Sequence, residues 1–527
     1  MLKVSNLELR FTTKVLFQNV NLEFNGDNCY GIIGANGAGK STFLKILDGR
    51  IEPTKGEVIL GKGERISTLV QNHNEFDEYT VLDTVIMGNK ELYNIMQEKD
   101  ILYSKVNFTD EDGMRAAELE EKFLLMDGWN AETDAAILLN GLGLDKKYHE
   151  EKMSNLKDSD KVKVLLANAL FGEPDVLLLD EPTNGLDVKS KMWLEEFLIN
   201  FKNTVLIVSH DRAFLNKVCT HMVDIDFEKI TLFVGNYDFW YKSSQLILKQ
   251  MKDSNKKKEE KIKELEDFIR RFSANASKSR QATSRKKALE KIELDEIKAS
   301  SRKYPYINFD LERELGNDVI IVDNICYKDI LHNVRFVIDK KDKIALIGNN
   351  EIAKTALLNI ISGKIKPDSG SIKIGSTVKM SYYEKNHDIY FKDNINMMDW
   401  LRQFTNSTDD TFIRGFLGRM LFSGEDVFKK VGVLSGGEKV RLMFSKLMLN
   451  HGNVLLMDEP TNHLDIESIT ALNDGLERYK SSFVISTFDE EIINTACNRL
   501  IEIKRDGRIR DKEISYEEYI EKFGLDE

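Results

Sequence analysis

The sequence predicts an α/β protein with mainly parallel sheets, built as two tandem copies of one domain joined by a helical segment. Three observations predict it: one order of signals runs twice, apolar strands alternate with helical stretches in each run, and a basic stretch interrupts the duplication. In the first copy, residues 15–24 read as strands, followed by Tyr30-Gly31-Ile32-Ile33-Gly34 and a Gly-rich turn; residues 343–348 open the second copy. A buried strand ending in Asp-Glu-Pro-Thr-Asn occurs at 176–184 and again at 454–462, and each is followed by another apolar strand, at 205–208 and 483–485. The closing segments also match, Gly235-Asn236-Tyr237-Asp238 echoing Ile514-Ser515-Tyr516-Glu517. The expected boundaries are 1–238 for the first domain, 239–307 for the linker and 308–527 for the second domain.

Two segments fall outside the duplication. An insertion at about 88–135 contains residues 114–126, whose apolar spacing predicts an amphipathic helix. In the linker, residues 242–272 predict a long helix and 286–299 a second one. The small, polar stretch 273–280 lies between them as a hairpin tip would, and Pro305 ends the unit.

With 42% hydrophobic and 31% charged residues, the 527-residue chain is long enough to bury several cores. No apolar run approaches the roughly 18 residues that cross a bilayer, and the amino terminus lacks a signal peptide's apolar block. The four cysteines (Cys29, Cys219, Cys326 and Cys497) are scattered, which excludes a disulfide scaffold and a metal-ligand spacing and favours a reducing, cytoplasmic compartment. A net charge of −12 hides an asymmetry: residues 240–304 hold 19 Lys+Arg against 10 Asp+Glu. A basic segment inside an acidic chain points to a polyanionic partner.

The turn after residue 33 reads Gly34-Ala35-Asn36-Gly37-Ala38-Gly39-Lys40-Ser41, followed by Thr42. It matches the eight-position P-loop pattern and sits between a strand and a helix. Such glycines let backbone N–H groups turn toward phosphates, and the helix adds its positive end. Lys40 is expected at the β- and γ-phosphates of ATP and Ser41 on Mg²⁺. Asp180 at a strand's end suits the metal's water shell, and its neighbour Glu181 suits polarisation of the attacking water. Gln71 suits a sensor of metal and water, and His210 a neutral donor to the γ-phosphate.

Leu434-Ser435-Gly436-Gly437-Glu438 precedes a helix expected from near Lys439, either as another anion site or as a simple N-cap. The P-loop, the Asp-Glu strand and this motif together resemble the ABC ATPase superfamily, which implies two tandem ABC-type P-loop NTPase domains. In that superfamily ATP is sandwiched between one domain's P-loop and the other's signature. The resemblance therefore pairs Lys40, Ser41, Gln71, Asp180, Glu181 and His210 with Ser435, Gly436, Gly437 and Glu438. Phe11 stands where the superfamily places an aromatic under adenine, and equally where a core Phe would stand.

The second composite site is altered throughout. Its P-loop position reads Gly348-Asn349-Asn350-Glu351-Ile352-Ala353-Lys354-Thr355, with Glu351 and Ala353 in place of two family glycines. A carboxylate there repels phosphate by about 4 kcal/mol at 4 Å for an effective dielectric near 20. The facing signature reads Leu156-Lys157-Asp158-Ser159-Asp160, so that Asp158 would meet a γ-phosphate with like charge. Lys385 occupies the glutamine position and Phe488 the histidine position, while Asp458 and Glu459 remain. This site is expected not to hydrolyse ATP; whether it binds nucleotide stays open.

Tandem domains without a membrane segment, the Thr183-Asn184 and Thr461-Asn462-His463-Leu464-Asp465 sequences, and the helical-hairpin linker resemble the ABC-F family. The linker sequence from Phe272 to Arg285 and the insertion's Glu111-Asp112-Gly113 are most similar to its YbiT branch. The resemblance implies a monomer with an intramolecular ATP sandwich and a ribosomal partner. It also implies a linker that enters the exit-tRNA site and an arm that faces ribosomal RNA or protein. Lys278, Arg280, Arg285, Lys286 and Lys287 cluster at or beside the hairpin tip, suited to RNA phosphates; without aromatic neighbours, shape rather than base reading is expected. Three other readings are an antibiotic-resistance ribosome-protection protein, which the short tip does not favour, a non-hydrolytic ATP-regulated switch, and a transporter's ATPase subunit.

Overall fold

The structure is a computed structural model that describes all residues except 12–13, 36, 71, 73, 107, 273–301, 393, 406, 408, 463 and 525–527. The first half contains strands β1 (Leu2–Phe11), β2 (Lys14–Phe24), β3 (Cys29–Gly34), β4 (Lys55–Leu60), β5 (Ile66–Thr68), β6 (Val176–Asp180), β7 (Thr204–Val208), β8 (His221–Asp226) and β9 (Lys229–Val234). Its helices are α1 (Lys40–Leu47), α2 (Val81–Ile86), α3 (Lys90–Tyr103), α4 (Asp110–Leu125), α5 (Ala131–Gly141), α6 (Asp158–Leu170), α7 (Val188–Ile199) and α8 (Arg212–Val218). One sheet runs β5-β6-β7-β3-β8-β9, parallel except for its β9 edge, and a smaller antiparallel sheet runs β2-β1-β4. Strand β3 is buried along its whole length, as expected of a central parallel strand covered on both faces.

The second half repeats this strand for strand. Strands β10 (Ile320–Tyr327), β11 (Leu331–Ile338) and β13 (Ser369–Ile374) form the small sheet. Strands β12 (Lys343–Ile347), β14 (Met380–Tyr383), β15 (Val454–Asp458), β16 (Ser482–Ser486), β17 (Arg499–Ile503) and β18 (Ile509–Lys512) form the large one, in the order β14-β15-β16-β12-β17-β18. The duplication read from motifs is thus a duplication of topology.

The insertion forms an antiparallel-type helix pair. Helix α4 begins at Asp110, four residues before the periodic stretch, because Thr109 and Asp112 make a reciprocal capping box there. It buries Ala116, Leu119 and Phe123, with the Lys99 ammonium of α3 lying 3.6 Å from the Phe123 ring centroid. The linker's first helix, α9 (Tyr237–Phe272), also starts five residues earlier than the periodicity implied, since Tyr237 and Trp240 are buried in the first domain's core. The expected hairpin tip, the second linker helix, Lys278, Arg280, Arg285, Lys286 and Lys287 lie outside the described residues.

Seven further helices among the described residues belong to the second half: α10 (Glu351–Ile361), α11 (Met397–Arg402), α12 (Asp410–Arg419), α13 (Gly436–Leu449), α14 (Ile466–Arg478), α15 (Glu490–Ala496) and α16 (Tyr516–Phe523). Helices α9 and α16 both begin at the tyrosine of the repeated closing motif. The halves meet through charge and packing: Ile466 joins the first domain's core, Lys191 lies 3.1 Å from Glu490, and Arg212 lies 3.0 Å from Glu491. No helix among the described residues is long and apolar enough to cross a membrane.

Candidate ATP sites

The two P-loops fold differently, and the glycines explain why. In the first, Gly37 (φ 77°) and Gly39 (φ 103°) occupy the left-handed region, where a side chain is strained. That geometry holds the loop open until α1 starts at Lys40. A Cβ on Gly39 would also sit 3.1 Å from Leu16 Cδ1. In the second, Glu351 and Ala353 replace these glycines, and the chain winds directly into α10 from Glu351, three residues earlier. Asn350 caps the new turn, its Oδ1 accepting from the Ala353 amide at 3.0 Å. The cradle of the first copy is a helical turn in the second.

Around the first loop the structure assembles Lys40, Glu181 and His210. Lys40 is buried and its ammonium donates to the Gly34 carbonyl at 2.7 Å. Asp180 ends β6, and Glu181 follows with φ 54°, a left-handed turn tied by its amide to the Val208 carbonyl at 2.8 Å. The His210 amide donates to Glu181 Oε2 at 3.3 Å, and His210 Nε2 stands 3.4 Å from Glu181 Oε1. Burial pushes the Glu181 carboxyl up to about 7, opposed by the His210 amide. Burial, then the Lys40 charge, brings His210 down to about 4. The pair is therefore tuned as a base near neutrality beside a neutral imidazole.

Glu181 Oε1 and His210 Nδ1 are buried without a hydrogen-bond partner among the described residues. Buried orphans of this kind fit a γ-phosphate and its attacking water. Ser41 follows Lys40, and Asp180 is the metal candidate on the facing strand. No group of three His, Cys, Asp or Glu that could hold a metal ion exists among the described residues. Asn36 and Gln71 lie outside the described residues, and so does the side chain of Phe11, the last residue of β1.

The signature sits at an N-cap. Ser435 Oγ accepts from the Glu438 amide at 3.4 Å while Glu438 Oε2 accepts from the Ser435 amide at 2.8 Å. Helix α13 consequently begins at Gly436, three residues before the expected start, with Gly436 and Gly437 as its first two residues. No hydrogen bond among the described residues joins Ser435 or Glu438 to the first P-loop. What does reach that loop from the second domain is the start of α14: the Glu467 and Asp465 carboxylates raise the Lys40 pKa against the burial that lowers it. Asp465 closes the Thr461–Asp465 sequence that carries the family resemblance, but neither it nor Glu467 was expected at the ATP site, and the N-cap spacing Asp465-x-x-Ser468 marks only a helix start.

The second site is filled by its own side chains. Lys354, 1% exposed, lies 3.5 Å from Glu459 and 4.0 Å from the Phe488 ring centroid, and its Nζ has no hydrogen-bond partner among the described residues. Phe488, in the histidine position, thus serves the lysine as a cation–π partner. Lys385, in the glutamine position, is hydrogen-bonded to Glu351, in the glycine position. Thr355 Oγ1 donates to Asp458 at 2.7 Å, and Ser486 Oγ to Glu459 at 3.1 Å. Glu459 keeps the left-handed turn of Glu181, with φ 49°. The facing Asp158 is the first residue of α6, where Lys157 makes no side-chain cap. Four of the five altered positions thus meet one another or the residues retained beside them. Lys354→Ala is expected to change steady-state ATP turnover by less than about twofold, since distant sites act independently; a phosphate-release assay checks it.

An ABC transporter family model matches residues 17–184 and 331–462, and a second model of the same description matches 223–309. Over 527 residues the chain is 58% identical to "Uncharacterized ABC transporter ATP-binding protein YkpA" of Bacillus subtilis (strain 168), covering 99% of this chain and 97% of that protein. It is 43% identical over 531 residues to "Probable ATP-binding protein YbiT" of Escherichia coli O157:H7, with both chains fully covered. The chain belongs to the ABC-F family, in its YbiT-like branch. The ABC-F domain pair also superposes on a solved structure titled "RNase-L Inhibitor", with a TM-score of 0.61 at 16% identity over 98% of this chain and 92% of that one. That likeness is one of fold. Within this ABC-F chain the two domains are ATP-binding cassettes, and their unequal P-loops are the feature that the fold alone does not explain.

Proposed function

We propose that the chain is a cytoplasmic, ribosome-binding translation factor driven by ATP at one composite site. Lys40, Ser41, Asp180, Glu181 and His210 face Ser435, Gly436 and Gly437 across ATP and Mg²⁺, within a single chain acting as a monomer. The reaction is ATP plus water to ADP plus phosphate. Glu181 accepts the water's proton, His210 donates to the γ-phosphate, and Lys40 balances its charge. ATP closes the two domains on each other and its hydrolysis releases them, a ligand-biased two-state equilibrium.

The observation that carries this reading is the contrast between the loops: glycines open the first, whereas the second is a helical turn whose lysine lies against Glu459 and Phe488 of its own domain. The second site is accordingly inactive and takes no nucleotide. The ribosome enters through the basic linker, whose sequence resembles that of the YbiT branch and whose phosphate-seeking residues suit ribosomal RNA and tRNA near the exit site. The test is co-sedimentation. Glu181→Gln protein with ATP is expected to pellet with ribosomes, and wild-type protein with ADP to stay in the supernatant; equal distribution of the two would count against an ATP-dependent factor.

A further inference from the structure

The linker leaves and re-enters the globular part at one place, and a single arginine occupies it. Arg302 is nine-tenths buried and is hydrogen-bonded to Asp224 on β8 through Nη2. Its Nη1 lies 3.2 Å from Asp226 on the same strand, and its guanidinium carbon 4.8 Å from the Trp240 ring centroid on α9. Trp240 in turn donates from Nε1 to Asp224 at 3.1 Å. Outgoing helix and returning chain are therefore clamped on one strand of the first domain.

The same arginine reaches the second domain: its Nε lies 3.2 Å from Glu467, in the first turn of α14. This turn is held to the first domain on two further sides. Ile466 packs in the first domain's core, and Thr470 accepts from Arg212 Nη1 at 3.2 Å, two residues beyond His210. These contacts hold Glu467 against the first domain beside the segment that carries His210. A buried carboxylate is tolerable there only while it is neutralised.

We propose that Arg302 is a positioning residue for the first ATP site: by neutralising Glu467 it makes ATP affinity depend on how the linker is seated. A linker displaced by its partner would unseat Arg302 and expose the nucleotide to an unbalanced negative charge. The inference rests on ATP binding at Lys40 but not on the identity of the linker's partner.

The test uses the full chain and a fluorescent ATP analogue with Mg²⁺. Arg302→Ala is expected to weaken binding about tenfold, as one uncompensated charge within a Debye length of the phosphates would. Adding Glu467→Gln should restore affinity to within about twofold of wild type, because it removes the charge that Arg302 had balanced. A merely structural role predicts the opposite, since the double variant would bind as weakly as the single one or more so. Unchanged affinity in Arg302→Ala, or no rescue by Glu467→Gln, overturns the proposal. Should the alanine variant not fold, Arg302→Lys, which keeps the charge but cannot bridge three carboxylates, carries the same pair of comparisons with about a threefold loss. A Lys40→Ala control separates the two ideas: if it still binds the analogue, the ATP-site reading has failed rather than the role of Arg302.

Discussion

Glu181→Gln is expected to lower ATP turnover by about 10²–10³-fold while leaving ATP bound, in keeping with the usual contribution of a positioned general base. The amide has the shape of the carboxylate and can keep the acceptor for the His210 N–H, so the left-handed turn at this position, with φ 54°, has no reason to relax. What it cannot do is take a proton from water. Lys40 and the P-loop amides, which are proposed to hold ATP, do not touch the substituted atoms through any hydrogen bond among the described residues. Single-turnover phosphate release, with retained nucleotide measured after gel filtration, separates the two effects. Turnover near the wild-type rate would remove Glu181 from the chemistry.

Gly436→Asp is expected to be nearly as severe, lowering turnover by at least about 10²-fold, although it lies in the opposite domain from the P-loop it is proposed to serve. The substitution places in the intact signature the residue that the altered one carries at the corresponding helix start, Asp158. Helix α6 shows that an aspartate is accepted there, and an acidic residue in a first turn favours a helix, so folding should not suffer. The loss is electrostatic: a carboxylate near 4 Å from a γ-phosphate costs about 4 kcal/mol at an effective dielectric near 20. Binding of ATP to the P-loop alone should weaken far less than turnover. The mirror substitution, Asp158→Gly, should leave turnover unchanged. A steady-state assay of the two variants side by side checks both statements.

The doubling of the fold was legible because each copy carries its own strand-and-turn signals, and these are local. The P-loop, the Asp-Glu turn and the Leu-Ser-Gly-Gly-Glu motif are likewise runs of adjacent residues whose spacing reports their chemistry. Helix starts were harder to place. Residues 110–113, 237–241 and 436–438 join their helices through a capping box, a buried aromatic pair and a serine N-cap, none of which appears as apolar periodicity. Beyond local reach lay the pairings that decide how each site behaves. Glu351 and Lys385 were visible as separate losses, but only the fold brings residues 34 positions apart together as a hydrogen-bonded pair. The conversion of the second P-loop into a helical turn is a joint consequence of two replaced glycines and Asn350, of which the sequence showed the parts. Arg302 meets Asp224 across 78 positions, and it reaches the opposite domain at Glu467. No motif surrounds it, so nothing in the sequence singled it out.

That triphosphate is held in only one of the two clefts is most directly tested by counting. Equilibrium dialysis of the Glu181→Gln chain against saturating ATP and Mg²⁺ should give one nucleotide per chain, abolished by Lys40→Ala and unaffected by Lys354→Ala. Two nucleotides per chain, or binding that disappears with Lys354→Ala, would contradict the account.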